Sequence, residues 1–319
     1  MSLRSRASRA KVFGVAAVAL FVLLGALRLV TRARSGPPQR AIGQVAGCPR
    51  VEPPERTGAI VSDALDEISG LVASRTQPDV YWVHNDSGDG ARVFAVDATG
   101  ALRAEVKLAG ADARDYEDIA RGPGTASNED VLYVADIGDN LGLRSRVHLY
   151  ALAEPRIVGT GVAVLTAPTK RIEVRYEDGP RDAEALLVDP RRNDLYIVEK
   201  VGLFSRRAEA GVYRLAAEEV QRGKVVARRV AEVPLGPVTA GDVAPDGSAV
   251  LLRNYWMALH FRREGSEPLA ATFARAGCAV PLADAGRQGE AIGFAADGQS
   301  YFTVSEGARS PLHRHVFVR

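Results

Sequence analysis

Short apolar runs broken by turn residues recur along the chain, and the clearest case is residues 181–200, RDAEALLVDPRRNDLYIVEK. Ala185, Leu186, Leu187 and Val188 form one run. Asp189, Pro190, Asn193 and Asp194 supply a turn, and Leu195, Tyr196, Ile197 and Val198 form a second run. This spacing predicts strand, tight turn, strand, with Glu184 and Glu199 at the two open ends. The same plan opens at Asp66 (DEISGLVAS, then DVYWVHND), Asp115 (DYEDIARGPG, then DVLYVADIGDN), Val238 (VTAGDVAPDGSAVLLRNY) and Gln288 (QGEAIGFAADGQSYFTVSE). The chain is therefore read as five repeats.

Aligning the repeats on their turns puts Glu67, Glu117, Glu184, Thr239 and Glu290 in one register, at spacings of 50, 67, 55 and 51 residues. Periods of this size with several short strands each predict propeller blades. Third and fourth strands follow each pair, as in GVYRLA from Gly211 and KVVARRVAEV from Lys224, and four strands per blade is the propeller pattern. The last repeat ends after its third strand, PLHRHVFVR, whereas an extra strand, TGAIVS (Thr57–Ser62), precedes the first. Pairing the two closes an all-β ring of five blades. A sixth could lie in EPRIVGTGVAVLTAPTKRIEVRYEDG, residues 154–179, which is longer than one strand requires.

The N-terminus breaks the pattern. Residues 1–11 carry Arg4, Arg6, Arg9 and Lys11 and no acid, and residues 12–30 are apolar except for Arg28. That span matches the short end of a bilayer-crossing helix. No small-residue cleavage site follows it closely, so a single-pass signal anchor is expected, with a cleaved signal peptide as the other reading. Basic residues flank both ends, and the positive-inside rule does not orient the segment cleanly. A lone N-terminal anchor ordinarily exports the domain behind it, which places residues 57–319 outside the cytoplasm. Residues 31–56, rich in Pro, Gly and Arg, read as a linker. VAGC, ending at Cys48, looks like a lipoprotein processing box but stands too far from the apolar stretch to be one.

Exporting the domain changes the meaning of cysteine and charge. The two cysteines, Cys48 and Cys278, suggest one disulfide in an oxidising compartment, two buried thiols being the alternative. Residues 1–40 hold eight of the 41 basic residues and none of the 39 acidic ones, which leaves 33 against 39, a net charge of −6, for the rest. A nucleic-acid partner is disfavoured.

In a propeller the first strands line a central channel, and the loops after the second strands open on one face of it. Glu67, Glu117, Glu184 and Glu290 should then gather at one mouth with Asp118. The loops add Asp86, Asp136 and Glu199, and a compensating charge is needed among so many carboxylates. Oxygen donors on loops favour calcium, so these eight acids are the candidate metal ligands. Lys200, Arg253, Asn254 and Arg309 stand on the same loops as candidate ligand-binding residues. The other account is that Asp, Asn and Gly are there because tight turns prefer them. The five histidines are scattered without metal-ligand spacing, and neither a nucleophile elbow nor a phosphate-binding loop occurs.

YEDIA, DAEALLVDP with LYIVEK, and QGEAIGF with YFTVSEG resemble repeats of uncharacterised secreted or membrane-anchored actinobacterial propellers. More distantly they are similar to the phytase-like propellers, including the group labelled "esterase-like activity of phytase". The resemblance implies calcium in an acid-lined mouth, with Glu117, Asp118, Glu184, Glu199 and Glu290 as the acids. It also implies Lys200 and Arg253 as cations gripping phosphate, although the full phytase substrate motif is not matched residue by residue. Two functions stay open. One is a membrane-anchored module binding a cell-envelope ligand or protein. The other is a calcium-dependent phosphoester or ester hydrolase.

Overall fold

The computed structural model describes residues 47–123, 130–202, 209–286 and 288–318. The segment read as an anchor, 12–30, and the linker as far as residue 46 lie outside the described residues. Among those described, no helix is long and apolar enough to cross a membrane.

The chain is all-β. After β1 (Glu55–Ala59), an antiparallel set is formed by β2 (Ile68–Ala73), β3 (Tyr81–Asn85), β4 (Arg92–Val96) and β5 (Leu102–Ala109). A second set contains β6 (Tyr116–Pro123), β7 (Asp130–Asp136) and β8 (Val147–Ala153). The long stretch 154–179 then contributes two strands to sets already begun. β9 (Ala163–Pro168) runs parallel beside β5, and β10 (Lys170–Tyr176) pairs with β8 as the fourth strand of the second set. No sixth set arises there. The third set is β11 (Ala183–Val188), β12 (Leu195–Glu199), β13 (Ala210–Leu215) and β14 (Lys224–Val233), with the short helix α1 (Ala217–Arg222) before its last strand. β10 and β14 pair in parallel, joining the second and third sets into one eight-stranded sheet whose end strands, β6 and β11, also pack together.

The fourth set is β15 (Ala240–Val243), β16 (Ala249–Arg253), β17 (Ala258–Arg262) and β18 (Cys278–Val280), with a 3-10 helix (Leu269–Ala274) before the last. The fifth is β19 (Gly289–Phe294), β20 (Ser300–Ser305) and β21 (Pro311–Val316), and β1 completes it by pairing antiparallel with β21. The first and last strands of the described chain thus meet in one sheet. Pairing begins earlier than the expected boundary at Thr57, since Val318 N donates to Arg50 O and Glu52 N to Val316 O.

The second strand of each set, and β11 among the first strands, are mainly apolar and buried because both of their faces are covered. Successive side chains point to opposite faces: Leu186 and Val188 of β11 pack in the apolar cluster shared with the second set, and Ala185 and Leu187 in the one shared with the fourth. Among the described residues, five such clusters lie between neighbouring sets, including one between the fifth and the first. The first strands contact one another in the cyclic order β2, β6, β11, β15, β19 and back to β2. Cys48 and Cys278 form a disulfide across 230 residues of sequence, tying the segment before β1 to β18.

Candidate carboxylate site

Four of the five first strands, β2, β6, β11 and β19, carry an extra residue at the same place. Tyr116 and Asp118 pair with Asp136 and Ala135, leaving Glu117 as the extra residue; Glu184 and Glu290 are left out in the same way on β11 and β19. Such bulges re-aim a side chain, and these send carboxylates toward the end where the first strands begin. Oxygens of Asp86, Asp115 and Glu117 lie within 4.8 Å of one another, and so do oxygens of Asp86, Glu290 and Glu306. Asp86 belongs to both groups, which makes one cluster drawn from the first, second and fifth sets. The loop after β7 closes against it at Gly138, where a Cβ would run into Glu117 Oε1 and Asp115 Oδ2.

The cluster holds more negative charge than it neutralises. Glu117 is 2% exposed, and no hydrogen bond or ion pair reaches its carboxylate from the described residues. Burial, then the charges of Asp86 and Asp115, raise its pKa well above the ordinary glutamate range, with Lys200 opposing. Asp86 is raised to about 6, first by burial and then by Glu290 and Asp115, and burial also raises Asp115. Glu306 is raised to about 9 by burial and by its hydrogen bond with Glu290, which is best satisfied when one proton is shared between the two. Tyr255 Oη donates to Glu290 Oε1 at 2.9 Å.

The pH dependence follows from these directions. A carboxyl whose folded pKa is raised keeps its proton in the folded state where the unfolded chain has lost it, so stability falls as pH rises through that window. For Asp86 the window runs from 3.8 to about 6, and for Glu306 from 4.5 to about 9. In chelator, the melting temperature should therefore decline between about pH 7 and pH 9, above the range in which His84, His260 and His315, held neutral by burial, add stability as pH rises. Melting curves in that range test this, and a rising temperature would count against the assignment.

Of the residues expected to act as ligands, Asp86, Glu117 and Glu290 come together. Glu184 is buried and bonded through Oε1 to Lys200 Nζ, while its Oε2 has no partner. Lys200 is thus an internal counter-ion before it is a ligand-binding residue. Glu67 is exposed and two residues out of register: its carbonyl accepts Asp86 N–H, as Asp115 O accepts Gly138 N–H and Asp182 O accepts Lys200 N–H. Ser69 holds the place equivalent to Glu117 and instead donates to the Glu117 carbonyl at 3.0 Å. Thr239 is buried and donates to Gly289 O.

Asp118, wholly buried, accepts Ile119 N–H and Leu186 N–H, which stitches β6 to β11. Asp136 pairs with Arg144 at 2.8 Å and accepts the N–H of Asp115 at 3.1 Å, and Glu199 is buried with Arg181 at 3.8 Å, so neither carboxylate is one of the clustered groups. Arg253 departs furthest from expectation. It is 0% exposed, pairs with Asp284 at 3.1 Å and packs so closely on Gly289 that a Cβ there would overlap its Nη2. A guanidinium enclosed in this way holds the fold and cannot grip a ligand. Asn254 accepts Trp256 and Met257 N–H groups in a turn, and Arg309 is exposed with a left-handed backbone, φ 57°.

Asp115 and Glu306 are the members that were not among the expected ligands. Asp115 had a signal, since DYE at 115–117 and DAE at 182–184 place acids two apart, on one face of a strand. A cavity of about 640 Å³ lies elsewhere, lined by Tyr196, Arg214 and Phe273, with Arg214 paired to Asp194. No family model matches the chain, and no curated protein does.

Proposed function

We propose that this chain is a membrane-anchored, extracytoplasmic, five-bladed β-propeller whose acidic mouth binds calcium and, through it, a cell-envelope ligand or protein. The propeller reading is supported by the cyclic contacts of the first strands, the five clusters between sets and the β1–β21 pairing. The anchor reading rests on the basic and apolar residues 1–30.

The observation that carries the site is Glu117. A buried carboxylate without a partner is costly, and two groups of acids sharing Asp86 supply oxygen donors alone. Both cysteines are tied in the disulfide and no histidine joins the cluster, which favours a hard cation over zinc or copper. Asp86, Asp115, Glu117, Glu290 and Glu306 would hold it, with Lys200 and Glu184 balancing charge at the rim. Calcium takes six to eight oxygens, so a bound ion would accept further oxygens from an outside ligand.

Calcium bound only by the folded state raises stability by mass action, by about 2.7 kcal/mol at one hundred times its dissociation constant. Calorimetric melting of the full-length protein should therefore shift upward in calcium relative to chelator. Glu117→Gln should abolish most of the shift. Glu232→Gln, on the outer strand β14 and paired with Arg229, should leave it intact. Identical melting in calcium and chelator would remove the metal reading, and turnover of phosphomonoesters or esters would replace the binding module with the hydrolase.

A further inference from the structure

The cavity of about 640 Å³ has no part in the acidic mouth. It lies between the third and fourth sets, with residues of β12, β13 and β14 on one side and the 3-10 helix Leu269–Ala274 on the other. Its volume is that of a small-molecule site. Val230, Ala270, Ala271, Phe273 and the ring of Tyr196 make most of the wall apolar.

Two polar groups of that wall lack the partners the others have. Tyr196 is 1% exposed, and its hydroxyl makes no hydrogen bond among the described residues. Buried tyrosines ordinarily satisfy this group, and leaving it unpaired is costly. Burial, and then the charge of Asp194, push its pKa up to about 12, so it remains a neutral donor at pH 7. Arg192, exposed in the turn between β11 and β12, donates to Ser266 O at 2.7 Å and has no carboxylate partner among the described residues. The other charges of the wall are matched. Arg214 holds Asp194 through bonds of 2.7 and 3.0 Å, and Glu232 pairs with Arg229. The wall is therefore apolar, with one cation and one neutral donor left over.

We propose that this cavity binds an amphipathic monocarboxylate, its alkyl chain against Phe273, Val230 and the alanines and its carboxylate paired with Arg192. The guanidinium fork matches a carboxylate through two parallel N–H donors, and the Tyr196 hydroxyl offers a further donor in the same wall. An aliphatic amine would find no free carboxylate there, and a neutral alcohol would leave Arg192 unmatched. The site is independent of the calcium reading, because none of its residues belongs to the cluster around Asp86.

Calorimetric titration of full-length protein in chelator with acetate, hexanoate, octanoate and octanol, each below the concentration at which it self-associates, tests the site. Octanoate should bind saturably, about fourfold tighter for each methylene added beyond hexanoate. Acetate should not bind, and octanol should bind more weakly than octanoate. Arg192→Gln should weaken octanoate about tenfold or more, as expected for a charge-assisted hydrogen bond, and leave octanol unchanged. Ala271→Phe, which fills the cavity from a half-buried position, should abolish both. Glu117→Gln should alter neither. Because Arg192 is exposed and bonded to one carbonyl, its Gln variant should melt like the parent and keeps the test open should Ala271→Phe disturb the fold. Partition into some other apolar surface would be unsaturable and equal in parent and variants. That result, no octanoate binding, or octanol binding as tightly as octanoate would overturn the site.

Discussion

Replacing both Cys48 and Cys278 with serine should lower the stability of the folded domain by about 3 to 5 kcal/mol, the upper range for a disulfide closing a long loop. The bond spans 230 residues of sequence and joins the segment leading into β1 to β18, the outer strand of the fourth set. Its position matters as much as its loop. β1 is contributed from the N-terminal side to a sheet otherwise made of the last three strands, so the architecture is closed by a strand held through its pairing with β21. The covalent tie keeps that strand close in the unfolded chain and limits fraying in the folded one. Urea unfolding of the oxidised protein and the double variant measures the difference. Equal midpoints would show that the bond adds nothing to the strand pairing.

A loss of about 3 to 5 kcal/mol is also expected for Arg263→Met, because it strands a buried carboxylate. Asp189, in the turn between β11 and β12, is 0% exposed and receives both Arg263 Nη1 at 2.8 Å and Nη2 at 3.0 Å. Arg263 follows β17, so the pair locks the third set to the fourth, and its Nε is held by Glu267 O. The double variant Arg263→Met with Asp189→Leu should recover much of the loss, since replacing a whole buried pair by apolar groups is often close to neutral. Thermal unfolding of parent, single and double variants provides the cycle. A single variant within 1 kcal/mol of the parent would mean that water reaches Asp189 once the guanidinium is gone.

The strand pairs were legible because each consists of a short apolar run, a turn and another run, and that pattern survives without any knowledge of neighbours. ALLV and LYIV became β11 and β12, and GVYRL and KVVARRVAEV became β13 and β14 nearly to the residue. The extra strand before the first repeat could also be matched to the unfinished last repeat, although it begins at Glu55 instead of Thr57. The destination of β9 and β10 was not legible. β9 (AVLTAP) ends up as an edge strand and β10 (KRIEVRY) lies between β8 and β14, and only the space beside β5 and β8 decides that one extends the first set and the other completes the second.

The site divides along the same line. An acid at one strand position was visible in Glu117, Glu184 and Glu290, but Glu67 was misplaced because alignment on turns assumes strands of equal length, and β2 ends two residues sooner after its bulge than β6 does. Lys200 and Arg253 stand just after or at the end of equivalent second strands and have different fates. Lys200 meets Glu184 at the rim, whereas Asp284, from the loop after β18, draws Arg253 wholly inside. The sequence by itself determined the strand pairs, their repeat and the presence of an acid at the head of several first strands, because those depend on local periodicity. Only the tertiary structure decided which carboxylates meet around Asp86 and which are already neutralised, because burial and the nearest opposite charge come from residues far apart in the chain.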